Sequence, residues 1–217
     1  MADSNRPRRA RGDQEKAARR QTILVAAGAL FAENGGEVPS VDQVAKRAGL
    51  AKGTVYLYFG AKEEIFLALL TQELQAWRET TAARLQGPPR SIPEMAQAIT
   101  LDIVQRRTML QLAAQCHGTL ERQVPEAAVL AFKQATSGGL TELGGLIEQR
   151  FPALQPGSGP KLLLQIYALV IGLWQLADPP KAAREIVSRP EFQALRPDFA
   201  ELLEPGLAAL LTATLDN

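Results

Sequence analysis

Apolar side chains recur along most of the 217-residue chain with the period of three to four residues that marks one face of an α-helix. The stretch 41–48 has such a face, and so does the stretch Ile23–Phe31. A longer pattern runs from Lys62 to about residue 86 and ends before Gly87-Pro88-Pro89. No stretch shows the strict alternation of a half-buried β-strand. The pattern therefore predicts an all-α fold.

The second half of the chain continues the helical pattern. Helices are predicted at about 93–107, 108–122, 125–150, 161–177 and 198–215, and the stretches 151–160 and 178–198 are predicted to be irregular because prolines and glycines interrupt them. Gly138-Gly139 and Gly144-Gly145 fall inside the third helix, where they indicate a bend, a close approach of another helix or a shorter helix. Pro205 is expected to kink the last helix or to begin its second part.

The helix at 161–177 is apolar on nearly all sides, so most of its surface has to be covered. A membrane span would need about 20 apolar residues. The predicted helix is shorter and carries Lys161, Gln165 and Gln175. We therefore expect no membrane segment.

The stretch Ser40–Lys62 has the pattern of two short helices joined by a tight turn. Ser40 and Gln43 have the spacing of a capping box, in which the hydroxyl and the side-chain amide satisfy free N–H groups at the start of a helix. Gly49 can adopt the left-handed conformation that ends a helix. A small core beneath the second helix is expected from three apolar residues, Leu50, Val55 and Phe59.

The outer surface of the second helix is left with Lys52, Thr54, Tyr56, Leu57 and Tyr58. A helix-turn-helix places its second helix in the major groove of DNA while its first helix crosses the backbone. Thr54 can hydrogen-bond base edges or touch a thymine methyl, Leu57 offers an apolar contact, and a glycine at position 53 permits close approach. The two tyrosines have the alternative of packing into the core with a polar tip.

Charge is distributed unevenly, although the whole chain carries only +1. Residues 1–62 have a net charge of +5 and residues 63–217 a net charge of −4. Charge of one sign at one end indicates a polyanionic partner there. The Arg-rich stretch 1–12 is predicted to be disordered, and its arginines either reach DNA or form a solvated tail.

The helix-turn-helix residues resemble the DNA-binding domain of the tetracycline-repressor (TetR) family of bacterial regulators. The resemblance covers about residues 15–70 and lies in Val44-Ala45, Ala48-Gly49-Leu50, Lys52–Phe59 and Lys62-Glu63-Glu64. One departure is Ala51, where the family often has Ser or Thr. An alanine lacks the N-cap hydroxyl, which typically contributes about 0.5–2 kcal/mol. The rest of the chain is similar in length and helical character.

The resemblance implies a basic arm at 1–12, a helix-turn-helix DNA-binding domain at 13–62 and a helical ligand-binding and dimerisation domain at 63–217. It implies a homodimer in which the helices at about 161–177 and 198–215 form a four-helix bundle with those of the partner, unless they only fill the core of one subunit. The implied function is a dimeric repressor that binds a palindromic operator on double-stranded DNA and is released by a small molecule. A DNA-binding activator, or a regulator without a small-molecule inducer, is the alternative.

The motif and the resemblance together predict the DNA-binding residues. Gln43 and Lys46 on the first helix are candidates for phosphate contacts, and Tyr56 and Lys62 are phosphate contacts by resemblance alone. The full set is Gln43, Lys46, Lys52, Gly53, Thr54, Tyr56, Leu57, Tyr58 and Lys62.

A small hydrophobic or amphipathic ligand is expected in the second domain, because apolar pockets favour aromatic and adaptable side chains. Each candidate residue has plain core packing as its alternative. The candidates are Trp77, Met95, Met109, Cys116, His117, Phe132, Tyr167 and Trp174.

Other chemistry receives little support from the sequence. Cys116 and His117 are adjacent, but the chain has no second Cys or His, so we predict no metal site. No nucleophile elbow or complete phosphate loop is present, so we predict neither a catalytic site nor a cofactor, and the protein is not expected to be an enzyme. A single Cys and a polar N-terminus without a signal-peptide pattern favour the bacterial cytoplasm.

Overall fold

The computed structural model describes residues 6–86, 91–152 and 154–215, with side chains from residue 12 onward, and this part of the chain is all-α as predicted. Single turns of π-helix and 3₁₀-helix occupy Cys116–Leu120 and Glu121–Gln123, and a second 3₁₀ segment occupies Pro190–Leu195. The α-helices are α1 (Arg6–Glu33), α2 (Val41–Arg47), α3 (Lys52–Tyr56), α4 (Lys62–Leu85), α5 (Ile92–Val104), α6 (Arg107–Gln115), α7 (Glu126–Arg150), α8 (Ser158–Ala177), α9 (Lys181–Val187) and α10 (Phe199–Leu215).

The N-terminal helix is longer than the sequence predicted. α1 begins at Arg6, so a disordered arm is wrong for residues 6–12, while residues 1–5 of the predicted arm lie outside the described residues. The physical reason is composition, because the stretch 8–20 consists largely of Arg, Ala, Gln, Glu and Lys, which are strong helix formers. Pro7 falls in the first turn, where its missing N–H has no helical partner to lose.

The chain divides into two compact units, and the division differs from the predicted domains. Unit 1 comprises Met1–Leu70 together with Gln115–Leu130, and unit 2 comprises Thr71–Ala114 together with Ala131–Asn217. The predicted boundary after residue 62 is too early, because the apolar residues of the first two turns of α4 are buried in unit 1. The return of residues 115–130 to unit 1 depends on contacts distant in sequence, which a local pattern does not reveal.

The core of unit 1 joins α1 to the start of α4. Ile23 and Phe31 of α1 are fully buried, as are Ile65 and Phe66 of α4. The rings of Phe31 and Phe66 lie 5.7 Å apart between centroids. Such tilted aromatic pairs contribute about 0.5–1.5 kcal/mol beyond their buried area. This core is the platform on which the shorter helices α2 and α3 rest.

The core of unit 2 includes an unusually close crossing of α7 and α8. A Cβ on Gly144 would lie only 2.5 Å from the backbone nitrogen of Pro160, and one on Gly159 would collide with the carbonyl of Gly144. α7 runs unbroken through both glycine pairs, so the close-approach interpretation is confirmed at Gly144. Elsewhere in unit 2, α10 packs against both α5 and α8.

Several predicted helix boundaries in the second half were wrong. The helix expected at 108–122 ends as an α-helix at Gln115 and continues through the π and 3₁₀ turns. The stretch 178–198 is not irregular but contains α9 and the 3₁₀ segment, each beginning at or directly after a proline, which fits the first turn of a helix. Pro205 lies inside a continuous α10 and does not split it.

α8 also begins earlier than predicted, and this removes one argument against a membrane span. At 20 residues it is long and apolar enough to cross a membrane by length and composition alone, and 28% of its most apolar window is buried within the chain.

The early start of α8 has a structural cause. The Glu148 carboxylate accepts hydrogen bonds from the N–H groups of Gly157 and Gly159, at 2.9 and 2.8 Å, and so caps the positive end of the helix.

Candidate nucleic-acid interface

A capping box builds the start of α2. The Ser40 N–H donates to Gln43 Oε1 over 2.8 Å, and the Gln43 N–H donates to Ser40 Oγ over 3.3 Å, which confirms the predicted motif. At the other end, Gly49 has a φ of +67°, a left-handed conformation that favours glycine, and the Leu50 N–H donates to the carbonyl of Ala45. The two ends together set the direction in which the chain leaves α2 toward α3.

An ion pair ties α2 to the end of α1. Arg47 Nη1 donates to Glu33 Oε2 over 3.1 Å, and Nη2 donates to the other carboxylate oxygen. The hydrogen bonds from the guanidinium hold the pKa of the Glu33 carboxyl below its ordinary value. Both side chains are about half exposed, so solvent screening keeps the pair's contribution to stability small. Its role is to orient α2 on the platform.

α3 is anchored from its inner side. Val55 and Phe59 are buried and Leu50 is half-buried, so the predicted small core is confirmed. The Arg20 guanidinium lies 4.8 Å from the centroid of the Phe59 ring, which closes one side of this core. Ala51 occupies the N-cap position with an extended backbone and no side-chain hydrogen bond, as its side chain requires.

The helical part of this surface is shorter than the sequence suggested. α3 ends at Tyr56, and the chain then turns, with the N–H groups of Leu57 and Tyr58 donating to the carbonyls of Thr54 and Val55 over 3.2 and 3.0 Å. The predicted outer surface is therefore one helical turn followed by a tight turn. Leu57 is 78% exposed and Tyr56 is 47% exposed, whereas Thr54 and Tyr58 are half-buried.

Glycine at position 53 is not required by packing within the protein. A Cβ built on Gly53 would meet nothing within 4 Å among the described residues. Its backbone conformation is not left-handed either, because the described glycines with a positive φ are Gly35, Gly36, Gly49 and Gly157. A larger residue would therefore fit at the exposed start of α3 without a clash among the described residues.

The predicted cationic residues differ in how they are held. Lys52 Nζ lies 3.2 Å from Asp42, and both side chains are more than half exposed, so the ammonium can exchange this partner for a phosphate. Lys62 Nζ lies 3.6 Å from Glu63, which is buried, so Lys62 also neutralises a buried carboxylate. Lys46 is exposed on α2. The side-chain oxygen of Gln43 is occupied by the capping box, which leaves its amide N–H groups as the part suited to a phosphate contact.

Unit 2 contains an apolar cavity of about 200 Å³ between α4, α7 and α8. Trp77 and Leu163 line both this cavity and a smaller one of about 30 Å³ that also includes Met95. The Trp77 indole N–H is buried and has no hydrogen-bond acceptor among the described residues. Arg78 lines the larger cavity and lies 3.6 Å from the exposed carboxylate of Glu142.

The structure brings only Trp77 and Met95 of the predicted ligand residues to these two cavities. Four other predicted residues line neither cavity. Met109 and Phe132 are buried and Tyr167 is half-buried. The ring of Trp174 packs edge-on against that of Phe199, with 5.4 Å between the ring centroids. Cys116 and His117 belong to unit 1, so they are not part of a unit 2 pocket. The sequence analysis missed Arg78, Leu143 and Leu163, whose helical periodicity looks the same as that of core residues.

A capped helix-turn-helix with a basic and apolar outer surface defines a DNA-binding unit, here joined to a second all-α unit. Residues 23–69 match the family model described as "Bacterial regulatory proteins, tetR family", and residues 71–215 match the one described as "Tetracyclin repressor-like, C-terminal domain". The chain belongs to the TetR family of transcriptional regulators. The family and its similar relatives are regulators rather than enzymes.

Two curated relatives match a short stretch of the chain. The chain is 39% identical over 61 residues to the fatty acid metabolism regulator protein of Bacillus subtilis, covering 28% of this chain and 31% of that one. It is 36% identical over 63 residues to the HTH-type transcriptional repressor AcnR of Corynebacterium efficiens, covering 29% and 34%. The match thus spans about a third of the length of these relatives.

A solved structure extends the similarity of fold over nearly the whole chain. The transcriptional regulator FadR of Bacillus subtilis, in complex with stearoyl-CoA, superimposes with a TM-score of 0.55 at 20% identity, covering 88% of this chain and 96% of that one. At this identity the comparison establishes the shared fold.

Proposed function

We propose that this TetR-family protein is a bacterial repressor that acts as a homodimer on a palindromic operator and is released when an amphipathic small molecule binds unit 2. The observation that carries the DNA-binding part is the outer surface of α3 and of the turn that follows it. There, an exposed leucine at position 57 stands beside Tyr56 and the exchangeable cation Lys52. An apolar side chain that exposed has no packing role within its own subunit, and it suits contact with thymine methyl groups.

The residue roles follow from how each side chain is held. Thr54, Leu57 and Gly53 would read or approach base edges, and Lys52 and Lys46 would contact phosphates. The remaining predicted residues, Gln43, Tyr56, Tyr58 and Lys62, stay proposed backbone or base contacts. We propose the bacterial cytoplasm as the location of the protein, because the proposed operator would lie there.

Binding to operator fragments recovered from random DNA tests the α3 surface. Lys52→Gln should weaken binding to all sequences and reduce the slope of log affinity against log salt by about 0.9, the value for one phosphate contact. Lys181→Gln on α9 removes the same charge in unit 2 and should leave the slope unchanged. Lys62 is a poorer choice because its removal would leave buried Glu63 without its cation.

Leu57→Ser separates sequence reading from electrostatic attraction. It should leave non-specific affinity and the salt slope intact but weaken binding to the selected operator, because an apolar contact with a base is lost. Identical operator affinity in wild type and Leu57→Ser, together with an unchanged slope for Lys52→Gln, would refute this surface as the DNA reader.

The exposed side of α8 supports dimerisation. Its inner side, including Ile166, Val170 and Trp174, is buried, whereas Leu164, Ala168 and Gly172 are exposed at intervals of four residues. Leu164 is 54% exposed. A stripe of small and apolar residues allows close packing of two copies, and a symmetric dimer supplies the two half-site contacts of a palindrome.

Sedimentation or light scattering tests the dimer. Leu164→Lys should shift the chain toward monomer, because the partner copy would bury an unpaired charge. Leu101→Lys on α5 is a matched control, since Leu101 is 55% exposed and lies outside the α8 stripe. Monomeric wild type, or equal effects of the two substitutions, would contradict the proposed interface.

The cavity supports an amphipathic ligand with an apolar body and an anionic or acceptor-rich group. Its walls are mostly apolar, with Trp77 offering an unsatisfied N–H and Arg78 a cation whose present partner is an exposed glutamate. A drug-sized site is usually about 300–1,000 Å³, so the ligand would have to join the larger and smaller cavities by moving Trp77 or Leu163. Fatty acyl thioesters have this chemistry, and the FadR structure contains one.

Tryptophan fluorescence tests the ligand, because Trp77 is one of only two tryptophans in the chain. Titration with acyl-CoAs of increasing chain length should change the emission of wild type, and Trp77→Phe should abolish most of the change. A ligand that binds should also release the operator, because coupling between two sites is reciprocal. Expression of a reporter gene placed behind the operator separates a repressor from an activator. If the ligand releases the protein from the operator and reporter expression then falls, the activator alternative is favoured.

A further inference from the structure

Three side chains with metal-binding atoms meet in the short turn that follows α6. Cys116 Sγ lies 3.4 Å from Glu121 Oε1, to which the thiol donates, and His117 Nδ1 lies 3.3 Å from Glu121 Oε2. The sulfur, nitrogen and carboxylate atoms all lie within 4.8 Å of one another. The cluster belongs entirely to unit 1.

The π-helical turn creates this cluster. In an α-helix, residues three and four apart share a face, so His117 and Glu121 could meet but Cys116 and Glu121 would not. The wider turn over Cys116–Leu120 brings residue i+5 back beside residue i. Single π turns inside α-helical chains occur often at functional sites. The sequence analysis predicted no metal site because the chain has no second Cys or His, and it did not consider Glu121, which this turn brings to the pair.

The spacing of the three groups approaches that around a small tetrahedral ion. With metal–sulfur, metal–nitrogen and metal–oxygen bonds of about 2.3, 2.0 and 2.1 Å, tetrahedral angles place the ligand atoms about 3.4–3.6 Å apart. Cys116 Sγ lies 3.4 Å from Oε1 of Glu121 and His117 Nδ1 lies 3.3 Å from Oε2, so the carboxylate would have to rotate for one oxygen to share an ion with both. Cys116 is buried and His117 is exposed. An ion would therefore have the sulfur on its protein side and could enter from solvent on the side of His117.

We propose that Cys116, His117 and Glu121 form a binding site for a divalent ion of the zinc type, with the fourth coordination position open to water or to an added ligand. Sulfur, imidazole and carboxylate ligands together select Zn²⁺ and its neighbours over Mg²⁺ or Ca²⁺, which prefer oxygen. Binding converts the Cys116 thiol into a thiolate, so the sulfur–hydrogen bond is replaced by a sulfur–metal bond and one proton leaves to the buffer.

The site has a structural connection to the DNA-binding helices within the same unit. Gln115, the residue before Cys116, donates its Nε2 hydrogen to the carbonyl of Gly36 over 3.0 Å. Gly36 has a φ of +94° and lies in the turn between α1 and α2. An ion that stiffens the π turn would therefore stiffen the turn that precedes the capping box.

Cobalt(II) is the best probe, because the chain has one cysteine and one histidine. The untagged full chain, titrated anaerobically with Co²⁺ in the presence of a thiol-free reductant, should develop a ligand-to-metal band in the near ultraviolet, which requires Cys116. It should also show the strong visible absorption of tetrahedral cobalt, which added Zn²⁺ removes at one equivalent. Zn²⁺ binding in weak buffer at neutral pH should release about one proton per ion from the thiol.

Variants assign the ligands. His117→Gln and Glu121→Gln should each weaken Zn²⁺ binding more than 100-fold, which exceeds the roughly 10–100-fold cost of changing only an outer hydrogen-bond partner. Glu126→Gln on α7 is the matched control and should bind as wild type does. His117 is exposed, so the His117→Gln variant should fold normally. The cobalt spectrum of wild type tests the site even if another variant fails to fold.

The proposal fails if wild type binds Co²⁺ without a thiolate band, or if it binds Zn²⁺ no more tightly than Cys116→Ser does. It also fails if His117→Gln keeps wild-type affinity. The test requires no DNA and no small-molecule inducer, so its outcome is separate from that of the proposed repressor function.

Discussion

The backbone crossing of α7 and α8 makes two adjacent glycines behave in opposite ways. A methyl group on Gly144 would lie 2.5 Å from the nitrogen of Pro160, a backbone atom that cannot move aside, whereas one on Gly145 would meet nothing within 4 Å among the described residues. Overpacking of this kind costs about 1–3 kcal/mol and sometimes more. Replacing an unhindered helical glycine by alanine instead stabilises by about 0.5–1 kcal/mol.

We therefore expect Gly144→Ala to be destabilised and Gly145→Ala to be slightly stabilised, with a gap of about 1.5–4 kcal/mol between them. For a chain of this size about 1 kcal/mol corresponds to about 2–4 °C, so the melting temperatures should differ by at least about 3 °C. The assay is thermal unfolding followed by circular dichroism at one fixed chain concentration, because dimerisation makes the melting temperature concentration-dependent. Equal melting temperatures for the two variants would refute the close crossing.

Three further predictions concern other parts of the fold. Ser40→Ala should cost about 0.5–2 kcal/mol of unfolding free energy by removing the N-cap, and Ala51→Ser should add stability by creating one for α3, both measured by urea unfolding. Burial raises the pKa of Glu73 above its ordinary 4.5, despite the opposing charge of Arg106. The free energy of unfolding should therefore fall as the pH rises through that raised pKa. Glu73→Gln should remove this fall, so that its stability relative to wild type increases from acid to neutral pH. Identical dependence of stability on pH in the two proteins would contradict the burial of Glu73. Asp102 is buried and accepts two hydrogen bonds from Arg106, so Asp102→Ala should destabilise by about 3–5 kcal/mol in the same urea assay, and a cost below about 1 kcal/mol would show the pair to be dispensable.

The DNA-binding end could be predicted from sequence because its determinants are local. Ser40 and Gln43 are three residues apart, and Gly49 marks the turn by its own conformational preference. The inward positions of Val55 and Phe59 follow from spacing within the same segment. The end of α3 at Tyr56 was missed, because nothing in the composition of the next residues opposes a longer helix.

The features that escaped prediction depend on partners distant in sequence or on rare backbone geometry. α8 begins at Ser158 because Glu148, ten residues earlier, caps its first N–H groups. The meeting of Cys116 with Glu121 needs a π turn, and i to i+5 spacing carries no signal in an ordinary helical pattern. The cavity residue Arg78 resembles any solvated arginine until α7 is placed against α4.

The discontinuous first unit has a practical consequence for protein engineering. A transplant of residues 1–70 onto another regulator's C-terminal half would leave behind 115–130, and with it the amide of Gln115 that holds the carbonyl of Gly36. A chimera that carries both segments should keep its original operator preference more faithfully than one cut at the family-model boundary alone.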